Sequence, residues 1–380
     1  MSVRATTAPG MPAHAERGTS AHAERGISAH AERGTRQPAA PAHLAGKVGR
    51  GGRVSVAVVV AGGVVAVSLA VAFSVLVGTQ AVSPSRIVDA LTGGAVSDQV
   101  RGIVDSRVDR TLIGLVVGAA VGVCGVVLQG LTRNPLAEPG ILGINSGAAL
   151  AVVIGIKVFA ISGVGGYVWF ALVGAVVTAV VVQLLALLAP VRAQPVTMAL
   201  AGAAVMATST SLVGAILVSD QGALDVFRFW QVGSVAGRDA SIVLDVAPFL
   251  VVGFALALSS GSVLNTVALG DDLARGLGQR VLLHRLLAAT GAILLAASAT
   301  ALAGPIAFVG LVVPHVVRAV VGPDHRRILL GALFAGPVLV VVADTLGRVV
   351  AAPSEVQAGI ICAVVGAPFL VALVRRMNVA

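Results

Sequence analysis

Few residues in this chain could carry out chemistry, and their spacing matches no enzyme site. The nearest string to a phosphate-binding loop, residues 46–48, lacks the first glycine and the final hydroxyl of G-x-x-x-x-G-K-[ST]. Neither H-E-x-x-H nor G-x-S-x-G occurs in the sequence. We therefore expect no catalytic residue, no metal site and no cofactor, and no ATP hydrolysis by this chain alone.

One carboxylate interrupts an otherwise apolar run. Asp344 lies deep in the stretch VVADTLGRVV. A carboxylate inside a membrane is costly and is normally paired. Arg348 follows four residues later and would share its helix face, so we predict an ion pair between the two. Proton relay by Asp344 is the alternative.

The polar stretch LNTVALGDDLARGLGQRVLLHR separates two apolar runs. Leu269, Leu273 and Leu277 are four residues apart and would form an apolar stripe on one helix. The acidic pair near the start and the glycine near the end suit a short helix, and they are Asp271, Asp272 and Gly278. Such a helix would rest on lipid or fit a groove of a partner, and spacing does not decide between these.

Two further interruptions fall near membrane depth. In VVLQGLTRNPLAEPGILGINSGAAL, three polar side chains could line a path for a polar ligand or bond to neighbouring helices, and they are Gln129, Asn145 and Ser146. In ALAGPIAFVGLVVPHVVR, Gly304-Pro305 should end a helix. The next run, 306–321, is short for a crossing, which fits either a conduit or a kinked structural helix.

The elements that would position these residues are membrane-spanning helices. Of 380 residues, 57% are hydrophobic and 11% are charged, whereas soluble domains have roughly 25% charged residues. Apolar runs near the ~20 residues that a spanning helix needs recur without two-residue alternation, so the chain is predicted to be an all-α polytopic membrane protein. Ten spans are predicted, at 54–77, 111–131, 141–158, 167–189, 197–218, 241–260, 283–303, 306–321, 328–350 and 357–374.

An even number of spans puts both termini on one side. Lys47, Arg50 and Arg53 precede the first span, and Arg375 and Arg376 follow the last. Because basic residues accumulate on the cytoplasmic side, we expect both termini in the cytoplasm and the protein in the cell membrane.

Small residues predict close helix packing. Gly114, Gly118 and Gly122 are four apart in the second span, and Gly143 and Gly147 repeat the spacing in the third. Glycines on one face let a neighbouring backbone approach closely.

Residues 1–53 form a separate segment from the predicted membrane domain, 54–376. An eight-residue repeat places His14, His22 and His30 at equal intervals, in a stretch of eight basic and three acidic residues. Its low complexity predicts a disordered basic tail rather than a metal site. The sequence has no basic face with interleaved aromatic residues, so nucleic-acid binding is not indicated.

Several stretches together resemble the FecCD-type family of iron–siderophore, vitamin B12 and haem ABC importer permeases. They occur in the family's order and are SRVDRTLIGLVVGAAVGVCGVVLQGLTRNPLAEPGILGINSGAAL, FRFWQVGSVAG, ALGDDLARGLG, AGPIAFVGLVVPHVVR and ADTLGRVVAAPSEVQAGIICAVVGAPFLVALVRR. The resemblance covers about residues 54–376 and does not include the tail.

The resemblance implies a type II ABC importer permease with ten helices. Such a subunit pairs with a second permease, identical or homologous, and works with two ABC ATPase subunits and an extracytoplasmic substrate-binding protein. The implied cargo is a metal chelate, foremost a ferric siderophore, with cobalamin or haem as alternatives. The rival from another class is an ion-coupled secondary transporter that uses Asp344.

The resemblance also assigns two contact sites. The helix that couples to the ATPase would comprise Leu269, Gly270, Asp271, Asp272, Leu273, Leu277 and Gly278. Outer arginines that meet acidic residues of the binding protein would be Arg107, Arg110 and Arg348, since arginine suits pairing with carboxylates. Asp109 departs from the family, which usually has proline there, and it could pair with Arg110.

We predict that Leu273→Asp disrupts ATPase association, because it places a charge in the apolar stripe. Co-purification of the ATPase with the variant measures this, and the amount inserted in the membrane should stay normal. Undiminished co-purification would contradict the coupling assignment.

Overall fold

The computed structural model describes residues 55–161, 164–190, 193–269 and 281–379. The predicted tail, 1–53, lies outside the described residues. So does the predicted coupling helix after Leu269, at 270–278.

The described residues form thirteen α-helices and one 3-10 turn at Pro139–Leu142. The first seven helices are α1 (Val56–Leu76), α2 (Pro84–Leu91), α3 (Asp98–Thr132), α4 (Ile144–Phe159), α5 (Val164–Leu187), α6 (Gln194–Val218) and α7 (Gln221–Gln231). The others are α8 (Ile242–Ser259), α9 (Gly261–Ala268), α10 (Val281–Ala303), α11 (Val309–Val321), α12 (His325–Val350) and α13 (Ala358–Val379).

The predicted all-α polytopic class is confirmed. Within the described ranges, eight helices are long and apolar enough to cross a membrane, and α4 and α11 are shorter apolar helices. These ten correspond in order to the ten predicted spans. The short helices α2, α7 and α9 were not predicted.

The helix that contains the second predicted span, 111–131, is longer than that span. Helix α3 begins at Asp98 rather than near 111. Ser97 caps it by accepting a hydrogen bond from the Val100 N–H at 3.4 Å. Val100 and Val104 then pack against Ile87 of α2 in a small separate core. This burial stabilises the charged first turns of α3, which precede the predicted span.

The two ends of the bundle follow from the contacts of α1. We call the end at which α1 begins the near end and the end at which it finishes the far end. Arg348 of α12 bonds to the Ser74 carbonyl, so the last turns of α1 and α12 both lie at the far end. Helices α3 and α12 run antiparallel, and α9 lies beside the start of α12 at the near end.

Helix α3 lies at the centre of the bundle, and every residue from 117 to 130 is buried. A Cβ atom on Gly118 would overlap the Gly336 carbonyl of α12, and one on Gly125 would overlap the Gly310 carbonyl of α11. Gly122 lies less close to its neighbour, since a Cβ atom there would approach the Ala332 carbonyl to 3.1 Å. The predicted close packing at the α3 glycines is confirmed.

The predicted break at Gly304-Pro305 is also confirmed. Helix α10 ends at Ala303, and Gly304 has a positive φ of 71°. Helix α11 begins only at Val309, after Phe308 at φ 67°. With about 1.5 Å per residue, its 13 residues span about 20 Å, too little to cross the apolar core of a bilayer. Helix α11 therefore starts within membrane depth and runs to the near end.

We expect Gly125→Ala to destabilise the protein by about 1–3 kcal/mol, because the added methyl group overlaps a neighbouring backbone that cannot yield easily. Gly62→Ala is the matched control, since Gly62 of α1 has nothing within 4 Å of an added Cβ atom. Thermal unfolding in detergent measures both variants. Equal melting temperatures would contradict the close-packing interpretation.

Candidate translocation path and contact sites

Ion pairs join α3 to α12 and to the following loop at the far end. Asp344 accepts from Arg110 at 3.0 Å and lies 3.2 Å from Arg348, which confirms the predicted pair with Arg348. Arg110 also pairs with Glu355 at 2.8 Å. The Asp344 side chain is 5% exposed and that of Glu355 is 34% exposed. The buried carboxylate thus has two cationic partners, as its location requires.

The remaining contacts of Arg348 tie α12 to the end of α1. Its Nη1 donates to the Ser74 and Val77 carbonyls at 3.0 and 3.1 Å. Its Nη2 donates to the Ser74 hydroxyl at 2.7 Å and to the Thr345 hydroxyl at 2.9 Å. Arg348 therefore satisfies carbonyl groups that the end of a helix leaves without intrahelical partners.

Arg107 does the same from α3. Its Nη1 donates to the Val75 carbonyl at 2.9 Å, and its Nη2 donates to the Gln80 carbonyl at 2.6 Å. Thr111 donates to the Arg107 carbonyl at 2.6 Å and bonds to the Ser74 hydroxyl at 2.7 Å. Polar groups of three helices thus form one connected network at the far end.

The three predicted docking arginines are therefore buried. Arg107, Arg110 and Arg348 are 4%, 8% and 1% exposed. Arg110 pairs with Asp344 and Glu355 rather than with its neighbour Asp109, which instead accepts from the Ala240 N–H at 3.3 Å. Docking through these arginines stays a prediction. Their contacts show that they join α3, α12 and the end of α1.

The three predicted path residues all bond to protein groups. Gln129 donates to the Gly310 and Leu311 carbonyls of α11 at 3.3 and 3.4 Å. Ser146 donates to the Gly143 carbonyl at 2.9 Å, and Asn145 accepts from the Thr300 hydroxyl at 3.0 Å. The bonds of Gln129 and Asn145 fit the interhelical alternative, whereas the Ser146 bond is local to the start of α4. A role of these residues in the path stays a prediction.

Asn145 also lines a small polar cavity at mid-depth, between the loop after α3 and the α10–α11 break. The cavity has a volume of about 20 Å³, room for about one water molecule. Its polar wall includes Glu138, whose Oε2 accepts from the Phe308 N–H at 3.3 Å. The prediction did not include Glu138, because its sequence position indicated only a turn between spans. A chelate has no room here in this structure.

At the near end, α9 is fixed to the start of α12. The Asn265 amide donates to Asp324 at 2.8 Å and accepts from the His325 N–H at 2.8 Å. The first of these bonds keeps the pKa of Asp324 below its usual value. Arg133, after α3, donates to the Val267 carbonyl at 2.8 Å. Leu269, the one coupling residue that is described, directly follows α9 and is 64% exposed.

Sequence reasoning missed this contact for a simple reason. Asp324 precedes a helix and could have been recognised as an N-cap, which it is, since it accepts from the Arg326 N–H at 3.0 Å. Asn265 lies 59 residues away, and nothing in its surroundings indicates a partner.

An all-helical, multi-pass chain with buried charge pairs and a polar break at mid-depth has the architecture of a membrane permease. A family model of the FecCD transport family matches residues 66–376. The chain therefore belongs to the FecCD transport family and is a transport permease of the membrane.

Similar proteins of known name agree with this family. The chain is 39% identical over 302 residues to the ferric enterobactin transport system permease protein FepD of Escherichia coli (strain K12), covering 79% of this chain and 90% of that protein. It is 38% identical over 270 residues to the Fe(3+)-citrate import system permease protein YfmD of Bacillus subtilis (strain 168), covering 71% and 80%.

A solved structure shares the fold. It was determined in an inward-facing conformation and assigned to the metal-chelate type of ABC transporter, and it matches with a TM-score of 0.72 and 25% identity. The match covers 84% of this chain and 99% of that chain.

We expect Asp344→Asn to destabilise the protein by about 3 kcal/mol, because it leaves two buried arginines short of a counter-charge. Glu355→Gln, a matched change in the same network, should cost about 1 kcal/mol or less, because Glu355 is partly exposed. Unfolding in detergent compares the two. A loss at Glu355→Gln as large as that at Asp344→Asn would contradict this ranking.

Proposed function

We propose that this chain is the permease subunit of an ABC importer for a ferric siderophore. The observation that carries the proposal is the FecCD match over residues 66–376, joined by relatives that are named for ferric enterobactin and Fe(3+)-citrate. Cobalamin and haem are the alternative cargoes.

The near end is proposed to face the cytoplasm, in the cell membrane. Both termini of the permease domain belong to this end, and basic residues flank its helices. Examples are Arg133, Arg326 and Arg375, at the ends of α3, α12 and α13. The positive-inside rule then places α9 on the cytoplasmic side.

ATPase coupling is proposed at residues 269–278. The fixed position of α9 supports this, because α9 leads directly into that segment. A push on the segment would reach α12 through the Asn265–Asp324 bond and α3 through the Arg133–Val267 bond. ATP binding would thereby tilt two long central helices instead of bending a loop.

A second permease subunit is proposed to pack on α6. Small residues lie on its exposed side, namely Ala204, Ala207, Thr208, Ser211 and Gly214. The two hydroxyl groups bond back to the Ala204 and Ala207 carbonyls, so this face has no unmet polar requirement. Small residues are typical of helix interfaces in membranes. Passage of the chelate between two subunits would also agree with the small size of the mid-depth cavity inside this one.

An extracytoplasmic binding protein is proposed to dock at the far end. Because Arg107, Arg110 and Arg348 are buried, they would support docking by fixing the positions of the helix ends at this surface. Glu355 is the more exposed member of the network. Any pairing of these arginines with carboxylates of the binding protein would weaken with salt.

Reconstitution in vesicles tests the proposal. We expect the permease together with its ATPase and loaded binding protein to accumulate a ferric siderophore when ATP is supplied. The permease alone should accumulate nothing against a gradient, because its own residues provide no energy source.

An ionophore and an ATPase inactivated in its nucleotide site are the controls. Uptake should survive the ionophore and disappear with the inactive ATPase. The opposite pattern would contradict the proposal and favour an ion-coupled transporter in which Asp344 titrates. Uptake of cobalamin or haem in place of every ferric siderophore tested would correct the cargo.

A further inference from the structure

A polar chamber opens at the far end beside the ion-paired network. It has a volume of about 420 Å³, within the range of small-molecule sites. It lies among the start of α5, the end of α7 and the segments 234–238 and 355–357. Its lining includes Arg110, Tyr167, Trp230 and Arg238.

Trp230 provides an unused hydrogen-bond donor in the chamber wall. The residue is 4% exposed, and its ring stacks on Phe227 with centroids 5.9 Å apart. Its buried Nε1–H has no acceptor among the described residues. A buried polar group without a partner costs about 1–3 kcal/mol, so this donor would be stabilised by a water molecule or a ligand that accepts from it.

Arg238 provides a charge that lacks a counter-ion. One of its terminal nitrogens donates to the Leu302 carbonyl at the end of α10, which fixes the guanidinium in place. In the described part of the chain, no carboxylate lies within ion-pair distance of it. Burial lowers the pKa of Arg238 to about 10, and the neighbouring Tyr167 offsets part of this effect. Arg110, by contrast, already shares two carboxylates.

We propose that this chamber is a subsite for an anionic, oxygen-bearing group of the chelate, held by the Trp230 indole N–H and the Arg238 guanidinium. The inference rests on the proposed function. Catecholate and carboxylate groups of iron chelates carry anionic oxygens that accept from both donors.

The chamber adjoins the α10–α11 break and is separated from the small mid-depth cavity by it. A Cβ atom on Gly304 would overlap the Trp230 carbonyl, so the chamber wall is in direct contact with the α10–α11 break. Gly304 also lines the mid-depth cavity with Asn145. A group bound at Trp230 therefore lies one backbone segment away from the next polar space along the bundle.

The test uses the complete importer in vesicles, with radioiron-labelled ferric tricatecholate, ferric citrate and an uncharged ferric trihydroxamate as probes. Trp230→Phe removes the donor and keeps the ring, and Arg238→Gln removes the charge. Each should lower the initial uptake of the anionic chelates by at least ~10-fold, the effect of losing one charge-assisted hydrogen bond. Capture of the unloaded binding protein should not change.

Matched controls lie at the same end but outside the chamber. Trp169→Phe changes an exposed tryptophan of α5, and Arg228→Gln removes an exposed charge of α7. Both should transport like the wild type. If Arg238→Gln fails to fold because α10 loses its contact, Trp230→Phe alone decides, since a phenylalanine preserves the stack with Phe227.

The other outcomes separate the inference from the proposed function. If Trp230→Phe takes up the anionic chelates at the wild-type rate, the inference is overturned and the proposed function is not affected. So does a loss of binding-protein capture that matches the loss of uptake, because the chamber would then receive a carboxylate of that protein. A wild type that carries only the trihydroxamate also overturns it. A wild type that carries none of the probes contradicts the proposed cargo, and the inference with it.

Discussion

Backbone contact along α3 is the constraint on which the rest of the packing depends. Where Gly118 and Gly125 face Gly336 and Gly310, carbonyl groups of α12 and α11 lie directly on the α3 backbone. Lipid offers helices no hydrophobic drive to associate, so this close contact has to supply the packing energy. Among the described residues, Gln129 in this enclosure donates only to α11 carbonyls. Any sliding of α11 against α3 would therefore break steric fit and hydrogen bonds together.

The far end meets a second constraint, which is electrostatic. Three buried arginines face two carboxylates there, so one positive charge lacks an ionic partner. Arg107 and Arg348 donate to carbonyl groups in residues 74–80, at and after the end of α1. The end of a helix carries a partial negative charge, and here it takes the place of a third carboxylate. Helix α1, mostly exposed to lipid, is thus held by its polar end.

Sequence predicted what membrane thickness and local chemistry dictate. Span count, the break at Gly304-Pro305 and the Asp344–Arg348 pair all follow from run length or from spacing within one helix. The start of α3 was missed because burial of Val100 and Val104 against α2 outweighs the charges around them. Arg110 and Asp344 are 234 residues apart, and no local pattern joins them. Long-range polar partners, including Glu138 and Phe308, depend on how the helices pack and leave no trace in spacing.

The α10–α11 break is a strained and closely packed segment of the bundle. Residues 304–308 form no helix, and a Cβ atom on Gly233 would overlap the Pro305 carbonyl. Phe308 adopts a left-handed conformation, which costs a non-glycine residue about 1–2 kcal/mol. The Glu138 carboxylate stabilises that conformation through the Phe308 N–H. Loss of this one bond would destabilise the start of α11, whose Gly310 carbonyl lies on Gly125 of α3. The break thus couples a local polar contact to the packing of the central helix.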